Sequence, residues 1–207
     1  MSNSTYKKTS GKAASAATKT SATPSKKGVS KLGFALLGQL ARGQRTGYEL
    51  SREFERDLAH FWNAKHSQIY TELQKLQKAN LVEVRQVRQS TRPDKKVYEM
   101  TSQGNTLLLE WLQSPLPNAA VRSELHLRTH SIHLLPRPEA IAFFQSELER
   151  ATADADLFKQ QLAEIERACE GLPPVHTQAF SDYANLKFGL ENRKQVARWA
   201  RWLVASL

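Results

Sequence analysis

The chain has 207 residues, 30 of them Lys or Arg and 20 Asp or Glu, which gives a formal charge of +10, and 40% are hydrophobic. That is enough apolar material for one or two small cores, so disorder throughout is excluded, and the longest apolar stretches, such as 32–40, fall far short of the roughly 20 residues that span a bilayer. The single cysteine, Cys169, allows no intrachain disulfide, and no Cys/His quartet has the spacing of structural zinc, so the expectation is a soluble protein of a reducing cytoplasm with no membrane partner, metal or cofactor.

The charge is unevenly spread. Residues 1–30 hold six lysines (Lys7, Lys8, Lys12, Lys19, Lys26, Lys27) and no acid, residues 31–113 have a net charge of +4, and residues 114–207 are balanced. The first thirty residues have almost nothing to bury and are expected to be a disordered basic tail. They lack the apolar run of a secretory signal and use Lys where a transit peptide favours Arg. Two readings stay open for them: a solvated extension, or a sequence-independent binder of nucleic-acid phosphates.

Between residues 31 and 113 the elements follow in a recognisable order. Leu32, Leu36, Leu37 and Leu40 have helical spacing and precede Gly43, which predicts a first helix ending there. Thr46-Gly47-Tyr48-Glu49 reads as a capping box that starts a second helix running to about Leu58. In a third helix Ile69, Leu73 and Leu76 share one face, and Ser67, Thr71, Gln74, Lys75 and Lys78 point away from it. Hydroxyls, amides and lysines suit a helix laid in a major groove, although that wheel taken alone is better explained as a solvated helix face. Asn80 can end this helix in the left-handed conformation. Strands are predicted over 81–87 and 96–100, joined by the basic turn 89–95, and Thr101 can cap a fourth helix through Leu107, Leu108, Leu109, Trp111 and Leu112. Three helices, a basic hairpin and a helix make the order of a winged helix-turn-helix. Its third helix reads the major groove while the hairpin tip, here Arg92, Lys95 and Lys96, lies against the DNA backbone or minor groove.

Leu116-Pro117 breaks the chain, and a fifth helix is expected over 119–135. His126, His130 and His133, at i, i+4 and i+7, have a spacing that could hold a transition metal. No fourth ligand is evident and Arg122 and Arg128 lie nearby, so a polar packing face or hydrogen-bond donors to an anionic effector are the preferred readings. From Ile141 the positions Phe144, Leu148, Ala151, Ala155, Phe158, Leu162, Ile165 and Cys169 follow at alternating separations of 3 and 4, a coiled-coil seam that needs a partner helix. Gly171 and Pro173-Pro174 stop it. A less regular apolar face then runs through Phe180, Tyr183, Leu186, Leu190, Val196, Trp199 and Leu203, and the two helices could pair within one chain or across two. Cys169 on the seam reads as a small buried hydrophobe rather than a redox sensor.

Three stretches, LLGQLARGQRTGYELSREFE (36–55), FWNAKHSQIYTELQKLQKANLVEV (61–84) and RPDKKVYEMTSQG (92–104), resemble the PadR family of bacterial transcriptional regulators, and RTHSIHLLPRPEA (128–140) with YANLKFGLENRKQVARWARWL (183–203) resembles members with a long helical tail. The resemblance implies a homodimer on a partly palindromic operator in double-stranded DNA, usually a repressor, often released by a small aromatic or drug-like effector. It also implies a bacterial, nucleoid-associated protein. Carried over by position, Tyr48 opens the second helix near a phosphate, Ser67, Gln68, Tyr70, Thr71 and Lys75 lie on the reading helix with Gln74 beside them, and Arg92 and Lys95 lie in the wing. Lys65 stands where many members have a capping Ser; it is unfavourable for the positive helix end but favourable for phosphate. Thr71 replaces a common Pro and Asn80 the usual Gly.

The fold class that results is mainly α: a basic tail (1–30), an α+β winged helix-turn-helix domain (31–113), and an all-α, coiled-coil-like dimerisation and effector domain (114–207). An effector pocket is expected between the winged domain and the helical half, with Phe61, Trp62, His126, His130 and Tyr183 as candidates, although Trp62, Trp199 and Trp202 serve equally well as core. No nucleophile with its base, carboxylate pair or phosphate loop has a recognisable spacing, so an enzyme is not expected. The alternatives are a nonspecific architectural DNA-binding protein that uses the basic tail and winged domain, or a protein-interaction module.

Overall fold

The computed structural model describes residues 28–58, 61–87, 95–116 and 123–207. Ser30 starts the first helix, α1 (Lys31–Leu40), its hydroxyl accepting from the Gly33 amide at 3.0 Å. A two-residue strand, β1 (Arg45–Thr46), leads directly into α2 (Gly47–Leu58). The expected capping box is present: the Glu49 amide donates to Thr46 Oγ1 at 3.2 Å, and the Thr46 amide donates to Glu49 Oε2 at 2.7 Å. Helix α3 (His66–Lys78) buries Ile69, Leu73 and Leu76 against Leu36, Leu37, Leu50 and Phe54.

Asn80 ends α3 as expected, with φ 56°. Its amide donates to the Gln77 carbonyl at 3.0 Å and the Leu81 amide to that of Leu76 at 2.9 Å, the pair of bonds that closes a Schellman motif. Strands β2 (Val82–Val87) and β3 (Lys95–Met100) pair antiparallel, with Val84 opposite Tyr98. The sheet order is β1-β3-β2, because Arg45 and Thr46 add a third strand opposite Tyr98 and Val97. Nothing in the local sequence marks that strand, since two residues show no alternation and their pairing is entirely tertiary.

Thr101 caps α4 (Ser102–Gln113), accepting from the Gly104 amide at 3.0 Å, and its hydroxyl donates to the Asn80 carbonyl at 2.8 Å. The end of α3 and the start of α4 are thereby tied together. Trp111 stacks on Phe34 with ring centroids 4.7 Å apart, which closes the core over α1.

The fifth helix is shorter than expected. Helix α5 spans Glu124–His130 and gives way to a 3-10 turn at Ile132–Leu134, while residues 117–122 lie outside the described residues. His133 is therefore not on the face shared by His126 and His130, because the helix that would align them ends at Ser131. Pro136 and Pro138 then flank the start of α6 (Arg137–Ala168), a helix about 48 Å long at 1.5 Å per residue.

Helix α7 (Gln178–Ser206) returns antiparallel to α6. The seam on α6 therefore finds its partner within the same chain, through Phe158 and Leu162 against Leu190, and Phe144 edge-on to Trp199 at 5.6 Å. At Gly189 a Cβ would come within 3.1 Å of the Phe158 ring, so the glycine lets that ring lie close to α7. The stop after α6 is made one residue earlier than Gly171. Glu170 takes the left-handed conformation (φ 55°), and the Gly171 amide donates to the Glu166 carbonyl at 2.8 Å. Cys169 caps this end and is half-buried rather than enclosed. Arg42, just past α1, meets the hairpin by donating to both carboxylate oxygens of Asp182, at 2.7 and 3.4 Å.

Two glycines separate tight packing from open space. A Cβ on Gly104 would lie 2.3 Å from the Leu81 carbonyl oxygen, whereas at Gly38 nothing lies within 4 Å. Gly104→Ala is expected to destabilise the protein by about 1–3 kcal/mol, and Gly38→Ala to stabilise it by up to about 1 kcal/mol through helix propensity. Urea unfolding of both variants would measure the contrast; equal midpoints would contradict this packing.

Candidate nucleic-acid interface and ligand cleft

Helix α3 is amphipathic. With Ile69, Leu73 and Leu76 buried, the exposed arc carries Ser67, Gln68, Thr71, Gln74, Lys75 and Lys78. Some of these groups are already engaged. Thr71 Oγ1 donates to the Ser67 carbonyl at 2.9 Å, which leaves the hydroxyl oxygen facing out as an acceptor. Lys75 Nζ lies 3.1 Å from Glu72 Oε2, and Glu72, only 5% exposed, also accepts from Ser30 Oγ at 2.6 Å. The buried carboxylate thus steadies Lys75 at the edge of the arc without enclosing it.

Lys65 occupies the N-cap of α3. An ammonium has no acceptor, so it cannot bond the first-turn amides. Only the reciprocal half of the box forms: Gln68 Oε1 accepts from the Lys65 amide at 2.8 Å. That bond uses the Gln68 carbonyl and leaves its NH2 group as the outward donor. The positive end of α3, with Lys65 exposed beside it, favours a negative charge.

Tyr70 sits differently from its neighbours. It is half-buried, its ring packs where a Cβ on Gly47 would come within 2.7 Å, and it lies 4.8 Å from the His66 ring. It braces the start of α2 against α3. Tyr48, at the head of α2, is 60% exposed. Lys95 and Lys96 are exposed at the start of β3, opposite Val87 and Gln86, and Arg92 lies outside the described residues. Tyr48, Lys65, the α3 arc and the two wing lysines are thus the exposed members of the expected set.

The five effector candidates do not converge on one cavity. His126 and His130 line a cleft of about 500 Å³ between α5 and α7, together with Leu125, Thr129, Asn192, Gln195, Val196 and Trp199. Phe61 lines a separate cavity of about 60 Å³ with Phe158, Phe188, Gly189 and Asn192. Tyr183 lies farther along α7 and donates to Glu166 Oε1 at 2.7 Å; that hydrogen bond holds its phenol above the usual range. Trp62 is partly exposed and lines neither cavity. Asn192, Gln195, Val196 and Trp199 recur at i, i+3, i+4 and i+7, so their common face was readable, but their pairing with α5 was not. Among the described residues no group of three or more His, Cys, Asp or Glu side chains is arranged to hold a metal ion, and no helix is long and apolar enough to cross a membrane.

Residues 36–110 match the transcriptional regulator PadR-like family, and residues 121–207 match the C-terminal domain described as virulence activator alpha. The chain is 32% identical over 176 residues to the negative transcriptional regulator PadR of Bacillus subtilis, a match covering 84% of this chain and 96% of that protein. This chain belongs to the PadR-like family. The crystal structure of B. subtilis PadR in complex with operator DNA is similar to it at a TM-score of 0.75 and 31% identity, covering 84% of this chain and 98% of that one. The structure of the same regulator with p-coumaric acid is similar at a TM-score of 0.68, again with 31% identity, covering 84% and 97%. The winged fold with a helical C-terminal part, expected from the order of elements, is the fold of this family.

The Thr46–Glu49 box presents Tyr48, and its carboxylate carries a pH dependence. The Thr46 amide, then the Thr46 hydroxyl, hold Glu49 below its usual pKa of 4.5, with Lys95 and Arg45 adding to the effect. A lowered folded-state pKa contributes stability that is fully present above the unfolded value and is lost as pH falls through the folded one. Acid unfolding of the wild type below about pH 4.5 is therefore expected to include a Glu49 component that Glu49→Gln removes, so the stabilities of the two proteins should converge as the pH falls; a constant gap from pH 7 to pH 3 would refute it.

Proposed function

We propose that this protein is a sequence-specific DNA-binding transcriptional regulator, a repressor that acts as a homodimer in the cytoplasm and is released by a small aromatic effector. It acts by binding rather than by catalysis. The observation that carries the reading is the exposed face of α3, whose Thr71, Gln74 and Lys75 side chains sit on a helix held rigidly by its buried edge. The relative similar over 84% of this chain was solved on its operator. In this reading residues 31–113 form the DNA-binding domain and residues 114–207 the dimerisation and effector domain.

Two-fold symmetry follows from the target. A dimer places two α3 helices in successive major grooves, about 34 Å apart. The cleft between α5 and α7 suits a flat ligand with one polar end, since Trp199, Val196 and Leu125 offer apolar surface while His126, His130 and Gln195 offer polar groups. Helix α7 also carries Asp182, which holds Arg42 beside the winged unit. A ligand that tilts α7 would therefore move the winged unit and alter the separation of the two reading helices.

Selection of bound sequences from random duplex at about physiological salt is expected to enrich an inverted repeat, preferred by roughly a thousandfold or more over unselected DNA. Binding without enrichment would favour an architectural role instead. On the selected site Thr71→Ala should relax base preference, whereas Lys75→Ala should weaken binding to all sequences and flatten the salt dependence by about one unit. Titration of the complex with p-coumaric acid is expected to release DNA, with a His126→Ala/His130→Ala protein needing at least about tenfold more ligand, a loss of about 1.4 kcal/mol. Spin labels on the two α3 helices should report a changed separation, and release without any change would refute the mechanism.

A further inference from the structure

A free glutamine side chain accepts through its carbonyl and donates through its NH2, and a threonine hydroxyl likewise does both. Two exposed side chains of α3 have lost half of that choice to the helix itself. The Lys65 amide donates to Gln68 Oε1 at 2.8 Å, and Thr71 Oγ1 donates to the Ser67 carbonyl at 2.9 Å. Neither bond can be reversed. A backbone N–H only donates, so it selects the oxygen of the Gln68 amide and turns the NH2 away. A backbone carbonyl only accepts, so it takes the Thr71 hydrogen and leaves the oxygen lone pairs outward. Lys65 sharpens the first case, because its ammonium brings no acceptor to the first turn and the side-chain bond at that end is the one Gln68 accepts.

Polarity of this kind selects bases. In the major groove guanine and thymine present acceptors, cytosine presents a donor, and adenine presents its N6 donor beside the N7 acceptor. An unengaged glutamine grips adenine by offering carbonyl and NH2 side by side. With Oε1 turned back on Lys65, Gln68 presents its NH2 alone, which suits a keto base, guanine or thymine. Thr71 is the opposite case: an oxygen whose hydrogen is committed suits an amino base, adenine or cytosine, and repels a keto oxygen. Every base pair joins one keto base to one amino base, so what these residues read is the strand on which the keto base lies. Both stand in the first two turns of α3, the part of a reading helix that meets base edges. They are three residues apart, about 4.5 Å along the helix axis, against roughly 3.4 Å per base step, so they address neighbouring base pairs.

We propose that Gln68 is a donor-only and Thr71 an acceptor-only determinant of sequence specificity. Each half-site then holds a keto base where Gln68 reaches and an amino base where Thr71 reaches. The assignment rests on the DNA-binding reading above and adds to it the chemical class of base at two positions of the site. It follows from bonds made within α3, so it is set before DNA arrives.

The test is selection from random duplex with the full chain, as wild type and as four single variants. Gln68→Glu keeps an oxygen for the Lys65 amide and replaces the outward donor by an acceptor. Its added charge at the first turn favours the helix, so the fold should be kept, which thermal unfolding checks. The variant is expected to exchange the keto base at one position of each half-site for an amino base, reversing the preference there by about tenfold or more. Thr71→Val keeps the shape but removes the oxygen, and is expected to erase the amino-base preference at a second position, whereas Thr71→Ser keeps the bond to Ser67 and should retain it. All other positions should match wild type. If the new carboxylate prevents binding altogether, Gln68→Met decides: loss of the keto preference at one position is expected, and an unchanged preference there would overturn the role of Gln68. Adenine at the Gln68 position would indicate a two-bond grip and refute donor-only reading. Thymine at the Thr71 position, kept in Thr71→Val, would indicate a methyl contact and refute acceptor-only reading. An inverted repeat with the same base preferences in wild type, Gln68→Glu and Thr71→Val would overturn the whole assignment while leaving the regulator reading intact. No enriched repeat for the wild type would sink the regulator reading, and the assignment with it.

Discussion

The structure depends on how α3 is seated. One edge, Ile69, Leu73 and Leu76, is fully buried, and each such side chain contributes about 1.5–3 kcal/mol by leaving water. Burial on that edge allows the helix one rotational setting, because turning it by a single residue, about 100°, would expose leucines and bury lysines. Glu72 marks the border. As a carboxylate at 5% exposure it needs partners, and Ser30 on one side and Lys75 on the other supply them. The outward direction of Thr71, Gln74 and Lys75 is thus a consequence of core packing rather than of any property of those residues.

The two ends of α3 are held in different ways. At its C-terminus Asn80 in the left-handed conformation turns the chain into β2, and Thr101 bonds the Asn80 carbonyl, so the helix, the wing and α4 share one junction. At its N-terminus a lysine replaces a cap and Gln68 satisfies only the outer amide. Such an end is stabilised best by a partner that brings negative charge. The asymmetry suits a helix whose N-terminal turn faces phosphate and whose C-terminal turn is structural.

The second half converts a long amphipathic helix into a frame. Ala151, Ala155, Phe158 and Leu162 bury their face of α6, and the hairpin supplies the partner that a seam of that length requires. The frame meets the winged unit at the Arg42–Asp182 pair, whose side chains are 21% and 34% exposed, and at Phe61, which shares a small cavity with Phe158 and Phe188. The proposed cleft lies elsewhere on α7, so one helix carries both the cleft residues Asn192, Gln195, Val196 and Trp199 and the contact with Arg42.

Local chemistry determined much of this on its own. The Thr46–Glu49 box, the Asn80 stop, the Thr101 cap and the buried face of α3 are written within a few residues of chain, and the seam of α6 within a single helix, because capping and left-handed backbone act over one or two turns and helical periodicity repeats along one element. Tertiary structure decided the rest. The strand at Arg45–Thr46 exists only because β3 is beside it, the seam closes within one chain because α7 returns along it, and His133 leaves the histidine face because the helix stops at Ser131. Of the five residues expected at an effector site, His126 and His130 share a cleft while Phe61 and Tyr183 lie apart. Spacing along a chain states which side chains share a face, but which faces meet depends on how whole helices pack, and no short stretch of sequence contains that information.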